Sequence, residues 1–142
     1  WDMYLDGFPK WDSMAIEIPK PPLQSVTYIK YTDTDGVEQT WSDTLYTVDT
    51  NKEPGTVIPS YNQVYPDTRD FQNAVNIRFV SGYASTSSPV DLRENVPYTI
   101  KLAIMLLAAH WFENKELLAP IALSEVAMTY DALIAPHRIF KF

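Results

Sequence analysis

From Ala74 to Val80 the chain alternates strictly, with Val75, Ile77 and Phe79 on one side and Asn76 and Arg78 on the other. A period of two specifies a half-buried β-strand, because successive side chains of a strand point to opposite faces. Such a strand needs neighbours to pair with and a core to face, and the preceding residues supply candidates. Residues 14–18 read as a short strand, stopped by Pro19, Pro21 and Pro22, which fix φ and lack N–H donors. A new strand starts near Leu23, and residues 25–32 are β-branched or aromatic almost without interruption. The turn chemistry of Asp33-Thr34-Asp35-Gly36 before residues 37–41 then predicts a β-hairpin. Residues 45–49 and 56–58 are two further short strands joined by a turn, the second ended by Pro59. Residues 61–73 have no clear period and read as a long surface loop, and the small residues after Gly82 mark a switch from β to α.

The last third has a different period. Pro97 stands where a first-turn proline belongs, and Ile100, Ala103, Ile104, Leu107, Ala108 and Trp111 recur at helical spacing. Leu106, Ala109 and Phe112 lie on the other face, so this helix is apolar around more than half its circumference and is expected to touch both the sheet and a partner. Ser124 can cap a second helix with a stripe of Val126, Tyr130, Leu133 and Ile134, stopped at Ala135-Pro136. The final six residues alternate basic and apolar side chains. A pair of exposed phenylalanines would be a liability in a monomer, so this tail either folds back or docks into a partner.

At 142 residues, 46% hydrophobic and 20% charged, the chain is sized for a single domain with one core. Its 11 basic and 18 acidic residues give a net charge of −7, which disfavours gripping a phosphate backbone. It has no cysteine and hence no disulfide. The longest apolar run, residues 102–109, is far short of the roughly 20 residues that span a bilayer. A start at Trp1 rather than Met reads as a processed or partial product.

Catalytic signatures are absent: there are two histidines, no Gly-x-Ser-x-Gly, no phosphate-binding glycine loop and no His-Glu-x-x-His. No cofactor is expected. His110 and Glu113 have a spacing that could share a metal, but Glu116 and Glu125 do not complete a bundle site, and a hydrogen-bonded helix-face histidine is expected instead. Asp33-Thr34-Asp35-Gly36 resembles the start of a calcium loop yet lacks the third spaced acid and the closing glutamate. No spacing pairs Asp67, Asp70, Glu94 or Glu113 as acid and base. Trp1, Trp11, Trp41, Tyr46, Tyr61 and Tyr65 could form a sugar-stacking face or belong to a core, which leaves a β-rich carbohydrate- or host-surface-binding module as the alternative function. Arg69, Arg78 and Arg93 are isolated cations suited either to partner ion pairs or to ordinary surface charge.

An ordered set of segments adds to this reading: Leu5-Asp6-Gly7-Phe8-Pro9, Pro21-Pro22-Leu23-Gln24-Ser25-Val26, Tyr31-Thr32-Asp33-Thr34-Asp35-Gly36, Tyr46-Thr47-Val48-Asp49, Asn73-Ala74-Val75 and Arg78-Phe79-Val80-Ser81-Gly82-Tyr83. Two more follow, Ile104-Met105-Leu106-Leu107-Ala108-Ala109-His110-Trp111-Phe112-Glu113-Asn114 and Leu133-Ile134-Ala135-Pro136-His137-Arg138. In this order the chain resembles the head-tail connector, or adaptor, proteins of tailed bacteriophages and related gene transfer agents. The resemblance implies an α+β fold: a helical connector core with a β-rich insertion of several short antiparallel strands over residues 13–83. A C-terminal pair of helices and an extended tail would then occupy residues 96–142. It also implies an N-terminal helical segment ahead of residues 5–9, which is not among these 142 residues.

The function so implied is that of a structural, non-enzymatic virion protein at the neck, assembled in the host cytoplasm. Its copies form a homo-oligomeric ring, usually dodecameric, between the portal protein and a stopper or tail-completion protein. DNA passes through the lumen without sequence-specific binding, and no membrane is involved. Twelve copies carry about −84 before local pairing, a field along which DNA could slide without being held. The tail residues His137, Arg138, Ile139, Phe140, Lys141 and Phe142 are the expected portal interface. Arg69, Arg78, Leu106 and Phe112 are expected at subunit or partner contacts, and the 61–73 loop and the 33–36 turn are expected to face the stopper or tail.

Overall fold

The strand that alternates so clearly lies inside a sheet, with neighbours on both edges. The computed structural model describes residues 1–11, 14–83, 91, 93–113 and 128–138. They fall into two compact units, Trp1–Tyr83 and Ala84–Phe142. The first holds seven strands: β1 (Asp2–Leu5), β2 (Ile16–Glu17), β3 (Leu23–Thr32), β4 (Glu38–Trp41), β5 (Tyr46–Asp49), β6 (Thr56–Pro59) and β7 (Val75–Ser81). They form two antiparallel sheets, one ordered β1-β7-β3-β4 and the other β2-β6-β5.

One core serves both sheets. Val75, Ile77 and Phe79 of β7 are buried with Leu23 and Ile29 of β3, Trp41 of β4, Ile16 and Ile18 around β2, Tyr46 of β5 and Val57 of β6. The register explains why β3 shows no clean alternation. Ser25 pairs with Val80 and Val26 with Phe79, then Tyr28 with Arg78 and Ile29 with Ile77, with register shifts after Leu23 and after Val26. Each bulge adds a residue and resets which parity faces inward. Leu23, Val26, Ile29 and Tyr31 therefore share the core side at a mixed spacing. Pro59 is tolerated at the end of β6 because β2 pairs only with Thr56 and Val57, so no strand there requires its missing N–H.

This architecture corrects the expected fold class. The chain is mostly β-sheet, and it is not a helical connector core holding a β insertion. Residues ahead of the supposed insertion are already part of the sheet: Asp2 to Leu5 pair residue by residue with Arg78 to Val75, and Met3 and Leu5 pack on the core. The alternation in Asp2-Met3-Tyr4-Leu5 is a strand signal only four residues long, too short to stand out beside the longer runs.

The second unit contains α1 (Tyr98–Glu113), helical residues 128–134 and a 3-10 turn, Ala135–His137. Pro97 precedes the first helical residue, as expected, and its carbonyl accepts from Ile100 and Lys101. Ala103 is the one buried residue of α1. Ile100, Leu106, Leu107 and His110 are half-buried, whereas Ile104, Met105, Trp111 and Phe112 are exposed. The stripe expected to face the core is thus rotated: Ile104 and Trp111 are outside it and Leu106 is closer to it. Ser124 and Val126 lie outside the described residues, and Tyr130, Leu133 and Ile134 fall in the second helical stretch, with Leu133 and Ile134 half or more covered. No helix among the described residues is long and apolar enough to cross a membrane.

Candidate functional site

The hairpin turn and the long loop, read separately from the sequence, meet at one end of the β unit. The turn is built by Asp33. Its Oδ1 accepts the backbone N–H groups of Asp35 at 3.1 Å and Val37 at 2.8 Å, and its Oδ2 accepts Gln39 Nε2 at 2.9 Å. Gly36 N donates to the Asp33 carbonyl at 3.0 Å, and Gly36 itself has φ +87°, the left-handed region that glycine occupies at least cost. The Gln39 side chain, followed by the backbone donors, holds the Asp33 carboxyl below its ordinary value. These bonds make the carboxylate a turn-former, and among the described residues no group of three or more acidic, histidine or cysteine side chains could hold a metal ion.

The loop is tied down over this turn. Arg69 N donates to the Thr32 carbonyl at 3.1 Å, Thr32 N to the Ala74 carbonyl at 2.8 Å, and Asn73 N to Asp6 Oδ1 at 3.0 Å. The Arg69 side chain crosses Gly36 so closely that a Cβ there would lie 2.6 Å from Nη1. Thr68 lies likewise over Gly7, where a Cβ would stand 3.3 Å from Oγ1. Beside it a cleft of about 430 Å³ opens between residues 8–10 and 64–68. Tyr61, Val64 and Phe71 of the loop and Val37 of the hairpin are exposed.

The three isolated cations have different surroundings. Arg78 grips Asp2 in a two-pronged bridge, Nε to Oδ1 at 2.7 Å and Nη2 to Oδ2 at 3.0 Å, across the β1–β7 pair. That bond holds the Asp2 carboxyl below its ordinary range. Arg93 bonds its near neighbour Asp91 at 3.0 Å. Arg69 is exposed on the loop. In the second unit His137 Nε2 lies 2.7 Å from Thr99 Oγ1, in the first turn of α1, and Arg138 Nη2 bonds Asp131 Oδ1 at 2.6 Å. The remainder of the tail, Ile139, Phe140, Lys141 and Phe142, lies outside the described residues. Leu106 is half-buried, and Phe112 is 76% exposed.

The aromatics do not form one open face. Trp41, Tyr46 and Tyr65 are buried in the core, where Phe8 stacks on Tyr65 at 5.3 Å and meets Trp41 edge-on at 5.2 Å. Tyr65 also donates its hydroxyl to the Met14 carbonyl at 2.7 Å. Trp1, Trp11 and Tyr61 are exposed, and Lys20 Nζ sits 3.5 Å from the centre of the Trp1 ring. Sequence reasoning missed Phe8, the ring that links Tyr31, Trp41 and Tyr65. Its only signal was its place in the Gly7-Phe8-Pro9 segment.

No protein-family model matches the chain, and no curated protein matches it. Solved structures do. The chain is similar to a chain of the virion of a native gene transfer agent particle, with 20% identity and a TM-score of 0.70 over 99% of this chain and 65% of that one. It is also similar to a chain in the neck of an empty gene transfer agent particle computed with C6 symmetry, at 21% identity and a TM-score of 0.69, over 99% of this chain and 65% of the other. A third match is to a chain in the neck of a native particle computed with C12 symmetry, at 21% identity and a TM-score of 0.62, covering 96% of this chain and 68% of that one. The chain thus spans about two-thirds of the length of the chains it matches. The resemblance to gene-transfer-agent connectors read from the sequence agrees with these neighbours, and the neck is where two of them sit.

Proposed function

We propose that this chain is a structural virion protein of the neck: a head-tail adaptor whose copies form a closed ring beneath a portal and offer their far side to a stopper or tail-completion protein. DNA passes through the lumen without sequence-specific binding. The observation that carries this reading is the fold shared over 99% of the chain with a gene transfer agent virion chain, and the order of segments in the sequence points the same way. A net charge of −7 suits a wall along which DNA slides.

The parts take distinct roles in this reading. The exposed apolar side of α1, with Phe112, packs against adjacent subunits, and the half-buried Leu106 lies at the margin of that contact. The tail, from His137 to Phe142, reaches the portal, its base held by the Thr99 and Asp131 contacts. The joined turn and loop form one contact surface of the β unit. A sugar-binding module is less well supported, because three of the six rings that would build its face are in the core.

A cryo-electron microscopy reconstruction of the neck of intact particles tests the proposal. The expected result is a ring of this chain directly under the portal, with Phe142 near portal density. Absence from the neck, or a position on a fibre or the capsid surface, overturns it and favours the sugar- or host-binding alternative.

A further inference from the structure

The chain has four arginines, and three are engaged within it: Arg78 with Asp2, Arg93 with Asp91 and Arg138 with Asp131. Among the described residues the Arg69 guanidinium has neither a hydrogen bond nor an ion pair. It is nevertheless held in place. Its backbone is fixed from both sides by the bonds from Arg69 N to Thr32 and from Phe71 N to the Arg69 carbonyl. The side chain lies in the space left by the missing Cβ of Gly36. Val37, 54% exposed, follows that glycine, and Phe71, 46% exposed, follows the arginine by two residues. A planar fork with unspent donors, on a fixed stretch of backbone and close in the chain to exposed apolar residues, is well suited to a carboxylate, which it binds through two parallel hydrogen bonds once the apolar groups are covered and water is excluded.

We propose that Arg69 is an anchor between subunits of the ring, and that its occupant is a carboxylate on the next copy of this same chain. The inference rests on the adaptor reading above. Each copy carries −7, so copies brought side by side repel one another unless cations are aimed across the seam. Arg69 is the arginine left over for that purpose. In a closed ring the contact is heterologous, one patch meeting a different patch on the neighbour, so Arg69 need not face another Arg69. The acidic surplus makes a carboxylate the charge most available there.

The test compares full-length wild type, R69E, R69K and G36A for ring formation by mass photometry over a salt series, with portal-bearing heads added if the chain alone stays monomeric. We expect R69E to raise the concentration needed for rings at least ten-fold while leaving the thermal unfolding midpoint unchanged. R69K keeps the charge but loses the fork, and G36A keeps the arginine but displaces its guanidinium while also straining the turn at φ +87°; both should fall between, with G36A compared at equal folded fraction. Because the chain lacks cysteine, a benzophenone maleimide on D35C, beside the fork, reports what covers it. Cross-linking to a second copy is expected, and cross-linking only to another neck protein overturns the proposal. Rings unaffected by R69E overturn it while leaving the neck assignment intact. Rings that need Arg69 but occur away from the neck support the anchor and overturn the adaptor reading, and a wild type that forms no ring even with portal-bearing heads overturns both.

Discussion

The two units of this chain differ in how they use apolar side chains. In Trp1–Tyr83 most large apolar residues of the strands have a place in one core, Tyr4 and Val80 being exposed exceptions, whereas α1 buries Ala103 and leaves Ile104, Met105, Trp111 and Phe112 exposed. Burial removes apolar surface from water at roughly 25 cal/mol per Å², so the β unit draws its stability from within. In α1 more of the apolar surface stays in contact with water. On the proposed neck role this divides the work, with one part folded for itself and another left for neighbours to cover.

Core truncation should separate the two most sharply. Phe79→Ala, at a fully buried β7 position, should cost about 3–5 kcal/mol in urea unfolding; a loss under about 1 kcal/mol would mean that the β unit does not depend on this core. Tyr65→Phe removes the hydroxyl that reaches the Met14 carbonyl and should cost about 1 kcal/mol by the same measurement. Ile104→Ser on the exposed side of α1 should change stability by no more than about 0.5 kcal/mol yet weaken ring assembly measured by sedimentation. An equal loss in both would break the contrast.

The smallest effect is expected from acid. The Asp33 carboxyl is held below its ordinary value of 3.8 in the fold, so the unfolded chain takes up its proton first. Its contribution is full above that value and is lost as pH falls through the lowered one. Asp33→Asn should therefore flatten the acid limb of a stability profile below pH 3.8, read by thermal unfolding.

Legibility followed the regularity of the side-chain pattern. The alternation in β7 and the spacing in α1 were visible because neither element contains an irregularity that shifts parity. In β3 the two bulges mixed the faces, and only the pairing with β7 shows that Leu23, Val26 and Ile29 look the same way. β1 was too short to stand out, and the helical core with a β insertion came from the family resemblance; the pairing of Asp2 to Leu5 with β7 is one of the features that overturn it. Of the candidate contacts, the sequence named Arg69 and Arg78 alike. What distinguishes them is the two-pronged bridge to Asp2, formed across a strand pair between residues far apart in the chain.

The pairing of β1 with β7 also sets how the β unit would respond to being pulled. Trp1 exchanges hydrogen bonds with Phe79 at 2.9 and 3.0 Å, so the first strand starts beside the place where the last one finishes. Tension between Trp1 and Tyr83 would fall on that end of the ladder and open it one rung at a time, like a zip, rather than loading all rungs together in shear.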